Sequence, residues 1–328
     1  RIPITLTHHK AVGPKMWGQT VRTLAMVDSA RAAGIDVMVD VYPYTATSTG
    51  IAVLIPTWAF DGGDSAFARR IADPTLRDSI EKGIIFNLLN DRGGGDISRV
   101  QFASVRWQPD LNGKTLADWA TQRGLAPTPE NGADPVIEAE LKGGASMIYH
   151  VLDEKDVQRV MAHPQAMIGS DGRLSAPGST VPHPRGYGTF PRVLGRYARE
   201  LKVFPLETAV HKMTGLPARR LRLADRGVLR EGAYAEVVVF DAATVAGRAT
   251  FVEPHQYPVG LEYVFVNGVA AVDAGKFTDT RAGKVLRRSE QAPIIEMRLA
   301  SLEPGAGFTI ARRVGEQVVY MSPTSVVT

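Results

Sequence analysis

The chain is predicted to be α/β, with a parallel sheet flanked by helices and a small all-β unit after it. Three observations carry that prediction. Residues 2–7 are β-branched and apolar, residues 20–33 repeat apolar positions at helical spacing up to Gly34, and residues 35–41 form a second strand-like run. Strand, helix, strand in that order is a βαβ unit, so its strands run parallel. Next, Met167-Ile168-Gly169-Ser170-Asp171-Gly172 is a short apolar run that delivers a carboxylate, Asp171, to a strand's carboxyl end, where barrel enzymes place their chemistry. Finally, after Asp225-Arg226-Gly227 the period becomes that of strands, and Asn267-Gly268 between two apolar runs signals a hairpin.

Composition bounds the function. With 328 residues, 44% hydrophobic and 22% charged, the chain can bury one large core or a large and a small one. A net charge of +4 is too mild and scattered to argue for nucleic acid, and no nucleic-acid motif is present; it would not repel an anionic substrate. Cysteine is absent, which excludes disulfides and any thiolate ligand or nucleophile from this chain. No run reaches membrane-span length and no charged-then-apolar leader is seen, so no membrane partner is expected and the setting is taken as cytoplasmic. The chain opens without Met in a strand-like stretch, which suggests a fragment or a processed piece.

Residues 2–7 stop at His8-His9-Lys10. Side chains alternate across a strand, so His8 and Lys10 share a face and His9 points the other way. Residues 35–41 run into Tyr42-Pro43-Tyr44-Thr45-Ala46-Thr47-Ser48. Parallel strands end on one side, so the histidines, the tyrosines and Asp171 emerge at a single edge. From 50 to 144 the pattern loosens into helices at 65–70 and 76–82, a strand at 84–89 and a glycine loop at 91–96. No Lys-Ser/Thr follows that loop, so it reads as a flexible connection and not as a phosphate loop. The region is read as an insertion covering the barrel mouth. A strand at 145–149, a helix at 153–161, and helices at 192–201, 205–213 and from 216 follow. His150, His163 and His211 are read as packing or surface residues. Each candidate also has a plainer role: Asp171 as a turn cap, Lys10 and Arg185 as solvated charges, Tyr42 and Tyr44 as packing under the loop.

Five stretches occur in one order: Thr7-His8-His9-Lys10, Asp40-Val41-Tyr42-Pro43-Tyr44, Ile168-Gly169-Ser170-Asp171-Gly172, Pro182-His183-Pro184-Arg185 through Thr189-Phe190-Pro191-Arg192, and Gly227-Val228-Leu229 onward. Together they resemble the C-terminal half of an N-acyl-D-amino-acid deacylase (D-aminoacylase) of the metal-dependent amidohydrolase superfamily. The likeness covers about residues 1–288, with 50–144 and the tail matching poorly. It implies the C-terminal part of a (β/α)₈ TIM-like barrel at 1–224, a small β-sandwich at 225–288 and an extension at 289–328. It also implies zinc-dependent hydrolysis of the amide of a small-molecule N-acyl-D-amino acid. By the same resemblance His8 is a metal ligand, and Asp171 is the catalytic aspartate and a metal ligand. Lys10, Tyr42, Ser48 and Arg185 would grip the substrate carboxylate.

The chain departs from that family in ways that matter. The family's His-x-His pair, its metal-binding cysteine and a further histidine all lie upstream of anything present here. Catalytic zinc usually takes three protein ligands. This chain alone is therefore expected to bind zinc poorly and to need the N-terminal half of the barrel. The loop from Asp171 to Arg185 is also a few residues longer than the family suggests. Two other readings stay open: a cyclic amidohydrolase of the dihydroorotase or hydantoinase kind, which generally needs a carboxylated lysine between two metals, and an inactive half-barrel or scaffold with two open sheet edges. The Tyr-Pro-Tyr and Pro-His-Pro-Arg stretches favour the deacylase.

Overall fold

Strand β1 (Ile4–Leu6) is followed by helix α1 (Thr20–Ala32) and strand β2 (Val37–Val41) in a computed structural model that describes residues 2–286 and 318–321. β1 and β2 are parallel, with Ile4 beside Val37 and Leu6 beside Val39. Alternation along β2 sorts its side chains. Val37, Val39 and Val41 pack with Leu24 and Val27 of α1, while Met38 turns to the other face, and Asp40 follows the same parity.

The chain then leaves this sheet through β3 (Thr47–Gly50), α2 (Asp64–Ala72), α3 (Pro74–Asn90), β4 (Val100–Ser104), α4 (Leu116–Gln122) and α5 (Pro129–Leu141), and comes back along β5 (Ser146–Tyr149). β5 lies antiparallel to both β3 and β4, with Thr47 opposite Tyr149 and Gly50 opposite Ser146. Entry and exit are thus adjacent strands. Ile80, Ile84 and Leu88 of α3, Trp119 of α4, Val136 of α5, and Phe102 and Met147 of the sheet form a separate core.

The strand expected at 84–89 is instead the second half of α3. Ile80, Ile84 and Leu88 recur every four residues and are fully buried, so the apolar run follows a helical stripe. Gly83, which reads as a break in the sequence, is the residue that lets Pro56 touch the helix; a Cβ there would lie 2.2 Å from the Pro56 ring.

Helix α6 (Glu154–Ala162) leads back to β6 (Ala166–Ile168), parallel to β2 with Asp40 beside Met167. The order β1-β2-β6 leaves one side of β1 and one side of β6 unpaired among the described residues. Helix α7 (Arg185–Arg192) continues as a π-helical stretch, Val193–Glu200, and is followed by α8 (Leu206–Met213) and α9 (Gly215–Arg220). Leu216 of α9 covers Met38 and Met167.

Strands β7 (Val237–Phe240), β8 (Leu261–Val266), β9 (Val269–Asp273), β10 (Lys276–Phe277) and β11 (Val318–Met321) form one antiparallel sheet in the order β10-β9-β8-β7-β11. Asn267 and Gly268, both with positive φ, make the β8–β9 turn. A buried Arg226–Glu236 ion pair, with Arg226 also 3.1 Å from the Asn267 side chain, ties the entry of this sheet to that turn. Apart from β11, the extension expected at 289–328 lies outside the described residues. Among the described residues no helix is long and apolar enough to cross a membrane.

Candidate active site

The carboxyl ends of the three parallel strands carry the candidate residues. β1 ends at Leu6, so strand alternation does not govern His8 to Lys10 as the sequence suggests. His8 instead adopts a left-handed backbone (φ 42°), and its amide donates to the Asp40 carboxylate at 2.6 Å. The His9 amide donates to the Asp40 carbonyl, and the His9 ring is 2.8 Å from the Thr23 hydroxyl of α1. The His8 residue remains exposed. Lys10 folds back so that its ammonium donates to the His8 carbonyl and lies 5.3 Å from the Tyr42 ring centroid.

Beyond β6, Asp171 is also left-handed (φ 47°) and accepts an ion pair from Arg185 at 2.9 Å. A left-handed non-glycine residue costs backbone energy and is held by its surroundings. Here the partners are visible: Asp40 for His8 and Arg185 for Asp171. Arg185 is buried, and its guanidinium lies 4.8 Å from the Tyr42 ring, on which Lys10 also converges.

His183 explains how Arg185 is held. Its Nε2 donates to the Ala46 carbonyl at 3.1 Å, and its Nδ1 accepts from the Arg185 amide at 3.1 Å. Burial, reinforced by the Arg185 charge, pushes its pKa down to about 3, so the ring stays neutral and both bonds persist. Tyr42, Tyr44 and Phe251 meet the same ring edge to face.

The electrostatics favour an anion. Burial, together with Arg185 and Arg92, pushes Lys10 down to about 8, while Asp171 opposes the shift. Burial raises the Tyr42 phenol, so it stays protonated, while the Arg185 guanidinium beside it opposes the shift through its charge and a side-chain hydrogen bond. Burial also raises Asp40, against the His8 amide that stabilises its charge, and the Asp171 charge adds to the rise.

Of the residues singled out from sequence, Lys10, Tyr42, Asp171 and Arg185 form one cluster, and His8 joins it through Asp40 and Lys10. Ser48 is placed on β3, where its hydroxyl donates to the Met147 carbonyl at 2.9 Å. Sequence reasoning missed the parts played by Asp40 and His183. Asp40 and His183 belong to quoted motifs, but their roles are in hydrogen bonds that join distant segments.

The donor set is too small for a metal on its own. Among the described residues no three of His, Cys, Asp and Glu come together as a metal-holding group. His8 and Asp171 therefore offer at most part of a coordination shell, and no reaction step is assigned to a metal held by this chain alone.

Residues 98–272 match the amidohydrolase family. The chain is 40% identical over 283 residues to N-acyl-D-glutamate deacylase and 38% identical over 291 residues to D-aminoacylase, both of Alcaligenes xylosoxydans xylosoxydans; these matches take in 86% and 88% of this chain and 48% and 49% of those proteins. A crystal structure of D-aminoacylase, described as defining a novel subset of amidohydrolases, superposes with a TM-score of 0.68 at 38% identity, over 88% of this chain and 50% of that one. That of N-acyl-D-glutamate deacylase from Bordetella bronchiseptica, complexed with zinc and a phosphonate mimic of the tetrahedral intermediate, superposes with a TM-score of 0.61 at 34% identity, over 82% and 46% of the two chains. The chain thus spans about half the length of the relatives it matches. The family match, the parallel strands and the likeness to the deacylases agree: this chain belongs to the amidohydrolase family.

Proposed function

We propose that this chain supplies the base and the carboxylate clamp of an N-acyl-D-amino-acid deacylase, which hydrolyses the amide to a carboxylic acid and a D-amino acid. The observation that carries this reading is the cluster of Lys10, Arg185 and the buried Tyr42 phenol beside Asp171. Two cations and a phenol suit a carboxylate; a carboxylate at a strand's carboxyl end suits proton transfer.

Lys10, Arg185 and Tyr42 would hold the α-carboxylate, and Ser48 is a weaker candidate because its hydroxyl is already engaged. Fixing that group would decide which face of the amide meets the nucleophile and so which enantiomer reacts. Asp171 would release Arg185 to the substrate, take a proton from the attacking water and return it to the leaving amine. Zinc, with His8 and Asp171 among its ligands and the others from outside this chain, would supply Lewis-acid polarisation and an activated water. Relatives with a binuclear metal centre and with bound zinc support that choice.

The test is amino-acid release from N-acetyl-D-amino acids by the zinc-loaded full-length protein, with L enantiomers as controls. Release confined to the D series is expected. No release from either series, with opening of a dihydropyrimidine or hydantoin ring instead, would assign the cyclic amidohydrolase reaction.

A further inference from the structure

The connection between β7 and β8 belongs in sequence to the small β unit, yet it lies across the helix that opens with Arg185. Two glycines allow the crossing. A Cβ on Gly195 would lie 2.5 Å from the Val245 carbonyl oxygen, and one on Gly247 would lie 2.8 Å from the carbonyl oxygen of Gly188, three residues after Arg185 on α7. The strap then turns at Thr250, whose hydroxyl accepts the amides of Val252 at 3.3 Å and Glu253 at 2.9 Å. That turn leaves Val252 80% exposed and packs the Phe251 ring inward, against the group formed by Tyr42, Tyr44 and Leu152.

Phe251 comes to rest between the insertion and the clamp. Its ring meets those of His183 at 5.0 Å, Tyr44 at 6.1 Å and His150 at 4.7 Å, each edge to face. Its carbonyl accepts from the Gln101 side-chain nitrogen of β4 at 3.0 Å, which leaves the Gln101 side-chain oxygen to accept from His150 Nε2, 2.8 Å away. Two polar side chains from the insertion thus fix the backbone and one flank of the ring. On another flank stands His183, whose two hydrogen bonds seat the Arg185 backbone. We infer that Phe251 is a positioning residue of the carboxylate clamp: it backs His183, which in turn aims Arg185, and through it the β7–β8 strap takes part in substrate binding. This rests on the deacylase reading and adds to that same site a residue that acts on the substrate only through His183 and Arg185.

The experiment is a double-mutant cycle in the full-length zinc-loaded protein, with Phe251→Ala, Arg185→Met and the two combined. Steady-state kinetics use whichever N-acetyl-D-amino acid the wild type hydrolyses fastest. Phe251→Ala should lower kcat/KM about tenfold, the upper worth of one aromatic contact, with most of the loss in KM and less in kcat. In the Arg185→Met background the same substitution should cost less than about twofold, because the group it positions is gone. Phe251→Leu keeps most of the apolar volume without the ring and should show the same dependence on Arg185, so it decides the matter if Phe251→Ala fails to fold. Equal losses in the two backgrounds, as a purely structural role would give, overturn the inference and leave the deacylase reading standing. A wild type that hydrolyses no N-acetyl-D-amino acid overturns both.

Discussion

The insertion and the parallel sheet solve the same problem differently. The insertion leaves and rejoins the chain on adjacent strands, β3 and β5, and surrounds them with a core of fully buried side chains. Much of its apolar side-chain surface is buried in that core. Among the described residues the parallel sheet has three strands, both outer ones open on one side, and β1 leaves Ile4 and Leu6 more than 40% exposed. The first has a core of its own; the second is a frame that the rest of a barrel would complete. Lys10, Tyr42 and Asp171 lie at the carboxyl edge of the parallel sheet, where the proposed chemistry would take place.

That contrast can be broken at several points. The largest effect should come from Asp171→Asn in the full-length protein, which keeps the shape but removes the proton acceptor. Turnover should fall by about 10³-fold or more while substrate binding stays measurable, as steady-state kinetics and calorimetry would report. Leu88→Ala tests the separateness of the insertion. It deletes fully buried methyl groups from that core and should cost about 2–5 kcal/mol in denaturant unfolding, in a transition assignable to the insertion. A single transition shared with the parallel sheet would argue against two units.

Lys10→Met should raise KM for carboxylate substrates about 10–100-fold with a smaller change in kcat, the expected loss of a charge-assisted contact. An unchanged KM would mean that Lys10 faces solvent. The smallest effect is with pH. Lys10 grips an anion only when protonated, and in the free protein its pKa is about 8. So kcat/KM should decline as pH rises through about 8, and Lys10→Arg should move the decline upward. The stability effect has the opposite sense. A pKa depressed by folding disfavours the charged form, so this penalty is present below about 8 and is relieved as pH rises towards the unfolded value.

Much of the frame was legible in the sequence because it follows local rules. The βαβ start, Gly34 as a helix stop, the Asn267-Gly268 hairpin and the strand before Asp171 are read from period and turn chemistry. Residues 84–89 were misread because a short apolar run beside a glycine does not distinguish a buried helix from a strand; Pro56, 27 residues earlier, decides it. His8 and Lys10 share the site, but through a left-handed turn pinned by Asp40 and not through strand alternation. His183 was invisible as a contributor because its partner, Ala46, lies 137 positions away, and only packing of the 183–185 turn brings them together.

The convergence of His8 and Asp171 on one metal is tested most directly by anomalous diffraction at the zinc edge from crystals of the full-length protein. The account predicts a zinc peak within bonding distance of both the His8 imidazole and an Asp171 carboxylate oxygen, with Lys10 and Arg185 flanking the adjoining space. Zinc held entirely by other residues, with His8 and Asp171 left in solvent, would contradict it.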